Sequence, residues 1–261
     1  MVNAALCLRR PLLITGLPGS GKSTVIDSVA AELGLGEVLR WHITSRSTLA
    51  EALYRYDALG RIHANQLKQN DDISLFVRLG PLGTALVPAQ HPRALLIDEI
   101  DKSDLDLAGD LLDVLEQGEY EIPELARHEQ SEIRVRLWKS DDTHTVTDGR
   151  VSCTAFPFIV MTSNGERDFA APFLRRCVRY EMPMPKHELV AQVVRAHLNL
   201  DPTTGPAKEL VDEFFGRLSR GDTVAVDQLL SAIFLLAGQD APQGEQRQRL
   251  LDLAMRNLSR A

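Results

Sequence analysis

Two spacings of apolar residues divide the chain. Up to residue 182 they gather in short unbroken runs, notably 11–14, 94–97 and 158–162, as expected of strands buried on both faces of a parallel sheet. Beyond residue 185 they return at helical intervals over 186–198, 207–220, 223–237 and 244–259, with stripes suited to a small bundle. Between the runs the spacing predicts a helix over 25–33, stopped by Gly34-Leu35-Gly36, and another over 105–117, stopped by Gly118. β-Branched and aromatic residues mark a strand over 37–44. Helical spacing resumes over 47–59 and breaks at Gly60, and a polar insertion covers 61–72. Structure returns over 73–79, where a Gly80-Pro81-Leu82-Gly83 turn leads to a short helix at 84–87. Residues 133–138 and 151–155 read as a hairpin around a long polar loop containing Asp148-Gly149. A short helix at 171–177, a strand at 178–182 and a Met182-Pro183-Met184-Pro185 linker precede the terminal helices. Strands alternating with helices, then helices alone, make an α/β fold with a smaller all-α part.

Composition narrows the setting. At 261 residues the chain can bury a full core and form a large and a small domain. Its 44% apolar and 25% charged residues are ordinary for a globular protein, and no stretch approaches the roughly 20 apolar residues of a membrane span. Residues 1–8 are apolar but have no basic residue ahead of them. They run through Arg9-Arg10 into the first buried run, so the cytoplasm is the expected compartment. Cys7, Cys153 and Cys177 are odd in number and widely scattered, which favours buried reduced thiols over disulfides or a zinc site. The formal charge of −7 argues against a generally basic nucleic-acid surface.

The candidate chemistry lies at the ends of the buried runs. The first leads into Gly16-Leu17-Pro18-Gly19-Ser20-Gly21-Lys22-Ser23-Thr24 and then a predicted helix, the order of a P-loop. Gly16, Gly19 and Gly21 supply positive φ and close approach, so that successive N–H groups can face a triphosphate. Pro18, Ser20 and Thr24 complete that cradle for ATP, Lys22 reaches the β- and γ-phosphates, and Ser23 offers its hydroxyl to Mg²⁺. The run 94–97 ends in Asp98-Glu99. Two solvated acids at a strand end would be the plain reading of this pair alone; after a P-loop, Asp98 reads as the Mg²⁺ carboxylate and Glu99 as the group that polarises the attacking water. The run 158–162 leads to Ser163-Asn164, and Asn164 either positions that water or forms an Asx turn before Gly165. Arg175-Arg176 follow, as a solvated face or as arginines that reach a nucleotide held by a neighbouring subunit. His42 reads as a core or strand-end residue rather than a ligand.

In this order, Gly16 to Thr24, Asp98-Glu99-Ile100-Asp101-Lys102, Thr162-Ser163-Asn164 and Phe173-Leu174-Arg175-Arg176-Cys177, followed by a helical part, resemble AAA+ ATPases of the MoxR type. The resemblance covers almost the whole chain. It implies a P-loop AAA+ core with a parallel five-stranded sheet flanked by helices over 1–184, and a small C-terminal all-α lid over 185–261. Asp57-Ala58-Leu59-Gly60 and Arg78-Leu79-Gly80-Pro81-Leu82 look like the segments bracketing that clade's insert, at about 60–80, and 129–157 looks like its hairpin before sensor 1. More narrowly, 41–45, 54–58 and 79–86 are similar to bacterial MoxR-like ATPases encoded beside von Willebrand A domain proteins in ternary systems, proposed to act in biological conflict.

Residue by residue, the resemblance implies that Lys22 and Ser23 bind phosphate and Mg²⁺, Asp98 binds Mg²⁺, Glu99 is the catalytic base, Asn164 is sensor 1 and Arg176 is the arginine finger, with Arg175 in reserve. Where the family often has a sensor 2 arginine, this chain has Gly221-Asp222-Thr223-Val224-Ala225, which leaves Arg217 or Arg220 to substitute. Residues 61–64 lack the aromatic-plus-Gly loop of threading unfoldases, which favours remodelling a docked partner over processive pulling. The implied protein is a Mg²⁺-dependent ATPase in a homo-oligomeric, hexameric ring. Its partner is a client protein or a von Willebrand A domain protein, with neither membrane nor nucleic acid. An ATP-binding switch or scaffold with little turnover is the first alternative, and a P-loop small-molecule kinase the second.

Overall fold

The buried runs become the sheet that positions the candidate chemistry. The computed structural model describes residues 1–237 and 242–258. Its elements begin with α1 (Val2–Leu8), β1 (Leu12–Thr15), α2 (Val25–Leu33), β2 (Leu39–His42), α3 (Leu49–Leu53), β3 (Tyr54–Tyr56), α4 (Ala58–Gln66), β4 (Val77–Leu79) and α5 (Pro81–Ala85). They continue with β5 (Ala94–Asp98), α6 (Leu105–Gln117), β6 (Glu119–Glu121), α7 (Pro123–Ala126), β7 (Glu132–Arg136), β8 (Thr143–Thr147), β9 (Arg150–Ser152), β10 (Phe158–Ser163), α8 (Ala171–Leu174) and β11 (Val178–Glu181). Four helices close the chain: α9 (His187–Leu198), α10 (Gly205–Ser219), α11 (Val226–Leu236) and α12 (Gly244–Ala254). Contacts divide the chain into two units, 1–15 with 23–180, and 16–22 with 181–261.

In the larger unit a five-stranded parallel sheet has the order β11-β1-β10-β5-β2. Every residue of β10 is buried, which is why its sequence is apolar without alternation. The parallel register sets Thr15 beside Ser163 and His42 beside Asp98, so the carboxyl ends that carry the candidate residues emerge along one edge. Leu95, Leu96 and Ile97 of β5 are 0–1% exposed, and burial of each such side chain stabilises the fold by about 1.5–3 kcal/mol.

A second, six-stranded sheet, β3-β4-β7-β8-β9-β6, departs from the sequence reading. The expected helix over 47–59 stops at Leu53, because Tyr54–Tyr56 pairs antiparallel with β4, Tyr54 opposite Leu79. The polar insertion expected over 61–72 begins inside a helix, Ala58–Gln66. Asp57 caps it by accepting the Gly60 N–H at 2.8 Å, so Gly60 lies in the first turn instead of ending a helix. The Gly80–Gly83 turn is likewise the start of α5, with Gly80 as its N-cap and Pro81 at its first position. The hairpin partners also change. Residues 132–136 pair with 143–147, and Asp148-Gly149, both at positive φ, then turn the chain into β9. Strand β9 pairs with β6, Tyr120 opposite Val151.

The expectation of three buried thiols is corrected at Cys7, which is exposed on a helix whose buried residue is Ala5. Cys153 is half-buried, and burial pushes the Cys177 thiol up to about 12. In the smaller unit α9 to α12 pack around Val194, Leu210, Phe214, Leu229, Ile233 and Met255, and Leu17 packs against this cluster. The helix expected over 223–237 begins at Val226, because Ala225 is its N-cap, with its N–H donating to the Gln228 side chain. The helix expected over 244–259 ends at Ala254, and Ser259 lies outside the described residues. Among the described residues no helix is long and apolar enough to cross a membrane.

Candidate active site

Residues 16–22 form a loop whose three glycines hold φ values of +149°, +69° and +83° at Gly16, Gly19 and Gly21. At Gly19 the need is steric as well as conformational. An added Cβ would lie 3.0 Å from Asp227 Oδ1 and 3.0 Å from the Val226 backbone nitrogen. Pro18 and Ser20 are partly buried, and the Ser20 Oγ is buried with no hydrogen-bond partner among the described residues. Lys22 is 6% exposed; its Nζ donates to the Gly16 and Leu17 carbonyls, both at 2.8 Å. A loop with inward-capable amides, an orphan hydroxyl and a buried ammonium fits a phosphate chain. Thr24 is exposed and forms the N-cap of α2.

In the larger unit, Asp98 is held from two sides. Its Oδ1 accepts the Ser23 Oγ–H at 2.8 Å and the Thr162 Oγ1–H at 2.6 Å, while Thr162 Oγ1 accepts the Glu99 N–H at 2.9 Å. One threonine thus ties the last turn of β5 to β10. Hydroxyl and carboxylate oxygens are the hard donors that Mg²⁺ takes, and Mg²⁺ needs only one or two of them from a protein. The Ser23–Asp98 pair brings one donor of each kind together, and among the described residues no group of three or more His, Cys, Asp or Glu could hold a metal ion.

Glu99 adopts φ +59°, ψ +49°, the left-handed region, which costs a non-glycine residue about 1–2 kcal/mol and is concentrated at functional sites. Its carboxylate accepts from Lys102 Nζ at 2.6 Å and from Asn164 Nδ2 at 3.3 Å, and the exposed His42 ring lies 3.5 Å away. The hydrogen bond to Glu99, and after it the carboxylates of Glu99, Glu166 and Asp101, hold the Lys102 ammonium above its ordinary pKa against the desolvation that opposes them. Asp101 is 3% exposed, and its Oδ2 accepts the backbone N–H groups of Asn164 at 3.0 Å and Glu166 at 3.1 Å. It nails the Asn164 loop to the Asp98-Glu99 turn.

Sequence reasoning assigned no role to Thr162, Asp101 or Lys102, and set His42 aside. The available signal was a hydroxyl residue closing an otherwise apolar run. Asp101→Ala is expected to lower stability by about 1–3 kcal/mol for each amide left without an acceptor, read as a reduced urea midpoint. Asp101→Asn, which keeps an oxygen acceptor, should recover most of the loss; equal midpoints for Asp101→Ala and the unaltered chain would remove this role.

Arg176 forks onto Glu116 of α6, with Nε 2.6 Å from Oε1 and Nη2 3.3 Å from Oε2. Arg175 is exposed, and its carbonyl accepts from Arg10 at 3.3 Å. Among the described residues neither guanidinium pairs with Asp98, Glu99 or Asn164. In the smaller unit Arg217 is committed elsewhere, donating to Glu213, Asp252 and the Met255 carbonyl, each at 2.8 Å, and Arg220 pairs with Glu213 at 3.1 Å. The segment packed against Gly19 is Ala225, Val226 and Asp227, without an arginine.

The sequence profile of the AAA domain (dynein-related subfamily) matches residues 11–177, from the strand before the glycine loop to just past Arg176. Among solved structures, NtrX from Brucella abortus aligns with 90% of this chain and 48% of its own, at 16% identity and a TM-score of 0.54, a likeness of fold. A protein of Cytophaga hutchinsonii ATCC 33406 aligns with 75% of this chain and 48% of its own, at 16% identity and a TM-score of 0.43. Hsp104 with ATPγS and FITC casein aligns with 78% of this chain and 37% of its own, at 15% identity and a TM-score of 0.39. The chain spans less than half the length of each of these structures. No curated protein sequence matches it. The profile covers well over half of the chain, and the chain belongs to the AAA domain family, dynein-related subfamily.

Proposed function

We propose that this chain is a Mg²⁺-dependent ATPase of the MoxR type that assembles into a hexameric ring and uses hydrolysis to change the conformation of a partner protein, with 1–184 as the ATP-binding core and 185–261 as the lid. The observation that carries the reading is the turn after β5, where Asp98 is held by Ser23 and Thr162 while Glu99 is forced into left-handed backbone and reaches Asn164. Family membership supplies the nucleotide: a dynein-related AAA domain is an ATP-binding module.

In this reading the amides of Gly16 to Gly21 and the Ser20 hydroxyl cradle the phosphates, and Lys22 exchanges two loop carbonyls for phosphate oxygens. Mg²⁺, held by Ser23 and Asp98, would neutralise charge on those oxygens. Glu99 orients water and takes its proton, Asn164 fixes the Glu99 carboxylate, and Arg176 leaves Glu116 for the nucleotide of a neighbouring subunit. The narrower resemblance makes a von Willebrand A domain protein the favoured partner.

One observation favours a second reading, an ATP-binding switch of a conflict system with little turnover. Lys102 lies 2.6 Å from the Glu99 carboxylate. Lys22→Ala tests the shared premise. It is expected to weaken ATP binding by about a hundredfold, the loss of charge-assisted contacts to phosphate; undiminished affinity in a titration would remove the phosphate role of Lys22. A single-turnover assay then separates the readings, since phosphate appears in water for an ATPase, on an acceptor for a kinase, and not at all for a switch.

A further inference from the structure

At the amino ends of β2 and β5, the opposite end of these strands from Asp98, lies a cavity of about 600 Å³, a size typical of ligand pockets. Its wall includes Leu39, Arg93, and the β7–β8 turn with Leu137, Trp138 and Lys139. The turn is fixed in place: the Trp138 backbone N–H donates to the buried Thr84 Oγ1 at 2.9 Å, and the Lys139 ammonium sits 5.5 Å from the Trp138 ring centre.

Arg93 is the unusual member. Its Nη1 donates to the Val87 carbonyl at 2.7 Å, which engages part of a guanidinium that carries several N–H donors. Among the described residues no carboxylate forms an ion pair with it. Burial pulls its pKa down with no opposing charge, and after burial its own charge is what pushes the nearby His144 down. The acids around the cavity do not neutralise it. Asp27 pairs with Arg40, Asp142 accepts the Ser140 hydroxyl at 3.0 Å, and Glu37 stands on the exposed rim. A half-buried cation without a counter-ion is costly, and an incoming carboxylate removes that cost through a forked, charge-assisted pair.

We propose that this cavity binds an acidic peptide segment of a partner protein. The Glu or Asp carboxylate forks onto Arg93, and the apolar neighbours of that residue pack on Trp138, Leu39 and Leu137. A peptide fits better than a small acid because the exposed rim carries both charge signs, in Arg40 and Lys139 against Glu37 and Asp142, and only an extended ligand can reach both.

The test uses acetylated, amidated tripeptides with Glu at the centre and Leu, Ile or Phe on either side, each against its Gln counterpart, titrated into the full chain. Trp138 emission and calorimetry report binding; Trp138→Phe identifies the signal, since Trp41 is buried outside the cavity. The Glu peptides are expected to bind at least about tenfold tighter than the Gln peptides, the worth of one charge-assisted hydrogen bond. Arg93→Gln, which keeps a donor for Val87, should erase that difference. Equal binding of Glu and Gln peptides, or no saturable binding, overturns the proposal without any variant. So does a preference that survives Arg93→Gln, or saturation by N-acetylleucine with the peptides excluded, which would assign the cavity to a small acid.

Discussion

Glu99→Gln is expected to bind ATP as tightly as the unaltered chain and to hydrolyse it about 10²–10⁴-fold more slowly, the range for loss of one positioned acid–base group. The substitution is conservative where the structure is demanding. Gln has the shape of Glu in the left-handed backbone at φ +59°, and its amide oxygen can still accept from Asn164 Nδ2. What it loses is the proton acceptor and the ion pair to Lys102 at 2.6 Å. The Lys102 pKa should then fall back, because the Glu99 bond is the largest cause of its elevation. That bond involves side chains at the surface, so its loss should leave the melting temperature almost unchanged. Single-turnover hydrolysis and retention of ATP through gel filtration read the outcome. A variant that turns over at the parental rate excludes Glu99 as the base, and one that neither binds nor hydrolyses points to a fault in the loop instead.

Arg176→Ala is expected to lose about 10³–10⁵ in rate while binding ATP normally, the scale of an arginine supplied in trans to a transferring phosphoryl group. Among the described residues Arg176 forks onto Glu116, whose side chain is 53% exposed, and such surface pairs contribute about 0–1 kcal/mol. The variant should therefore fold as well as its parent, which isolates the chemical effect. Mixing it with Lys22→Ala, inactive for a different reason, should restore part of the activity. An interface can then pair the intact glycine loop of the Arg176→Ala subunit with the intact arginine of the Lys22→Ala subunit. If the mixture stays inactive although mass measurement shows hetero-oligomers, or if Arg176→Ala is fully active alone, the finger is not Arg176. Arg175, exposed and accepting from Arg10 through its carbonyl, is then the next arginine to replace.

The sequence by itself determined the α/β class, the buried runs of a parallel sheet and the terminal helices, while the count of five strands came with the resemblance to AAA+ ATPases. The class, the runs and the helices rest on local signals strong enough to survive packing. Residues 94–97 and 158–162 are apolar without alternation because both their faces are covered, and Gly118 stops α6 at the residue its spacing predicts. It also placed Asp98 and Asn164 at strand ends, since a polar residue after a buried run can only emerge at an edge.

Tertiary structure decided what depends on partners distant in sequence. Tyr54–Tyr56 has helical neighbours and becomes a strand only because β4 lies ready to pair with it, and Thr143–Thr147 looks polar until Val146 turns inward against Ile133. The pairing of the Arg217 guanidinium with Glu213 and with Asp252, 35 residues away in the second case, likewise depends on how the helices pack. The clamp of Thr162 on Asp98 spans 64 residues and that of Asp101 on the Asn164 loop spans 63, separations at which spacing carries no signal. Arg93 could not be distinguished in sequence from any surface arginine before a strand. That no carboxylate among the described residues pairs with it is a property of the fold around it, and only the three-dimensional structure displays that.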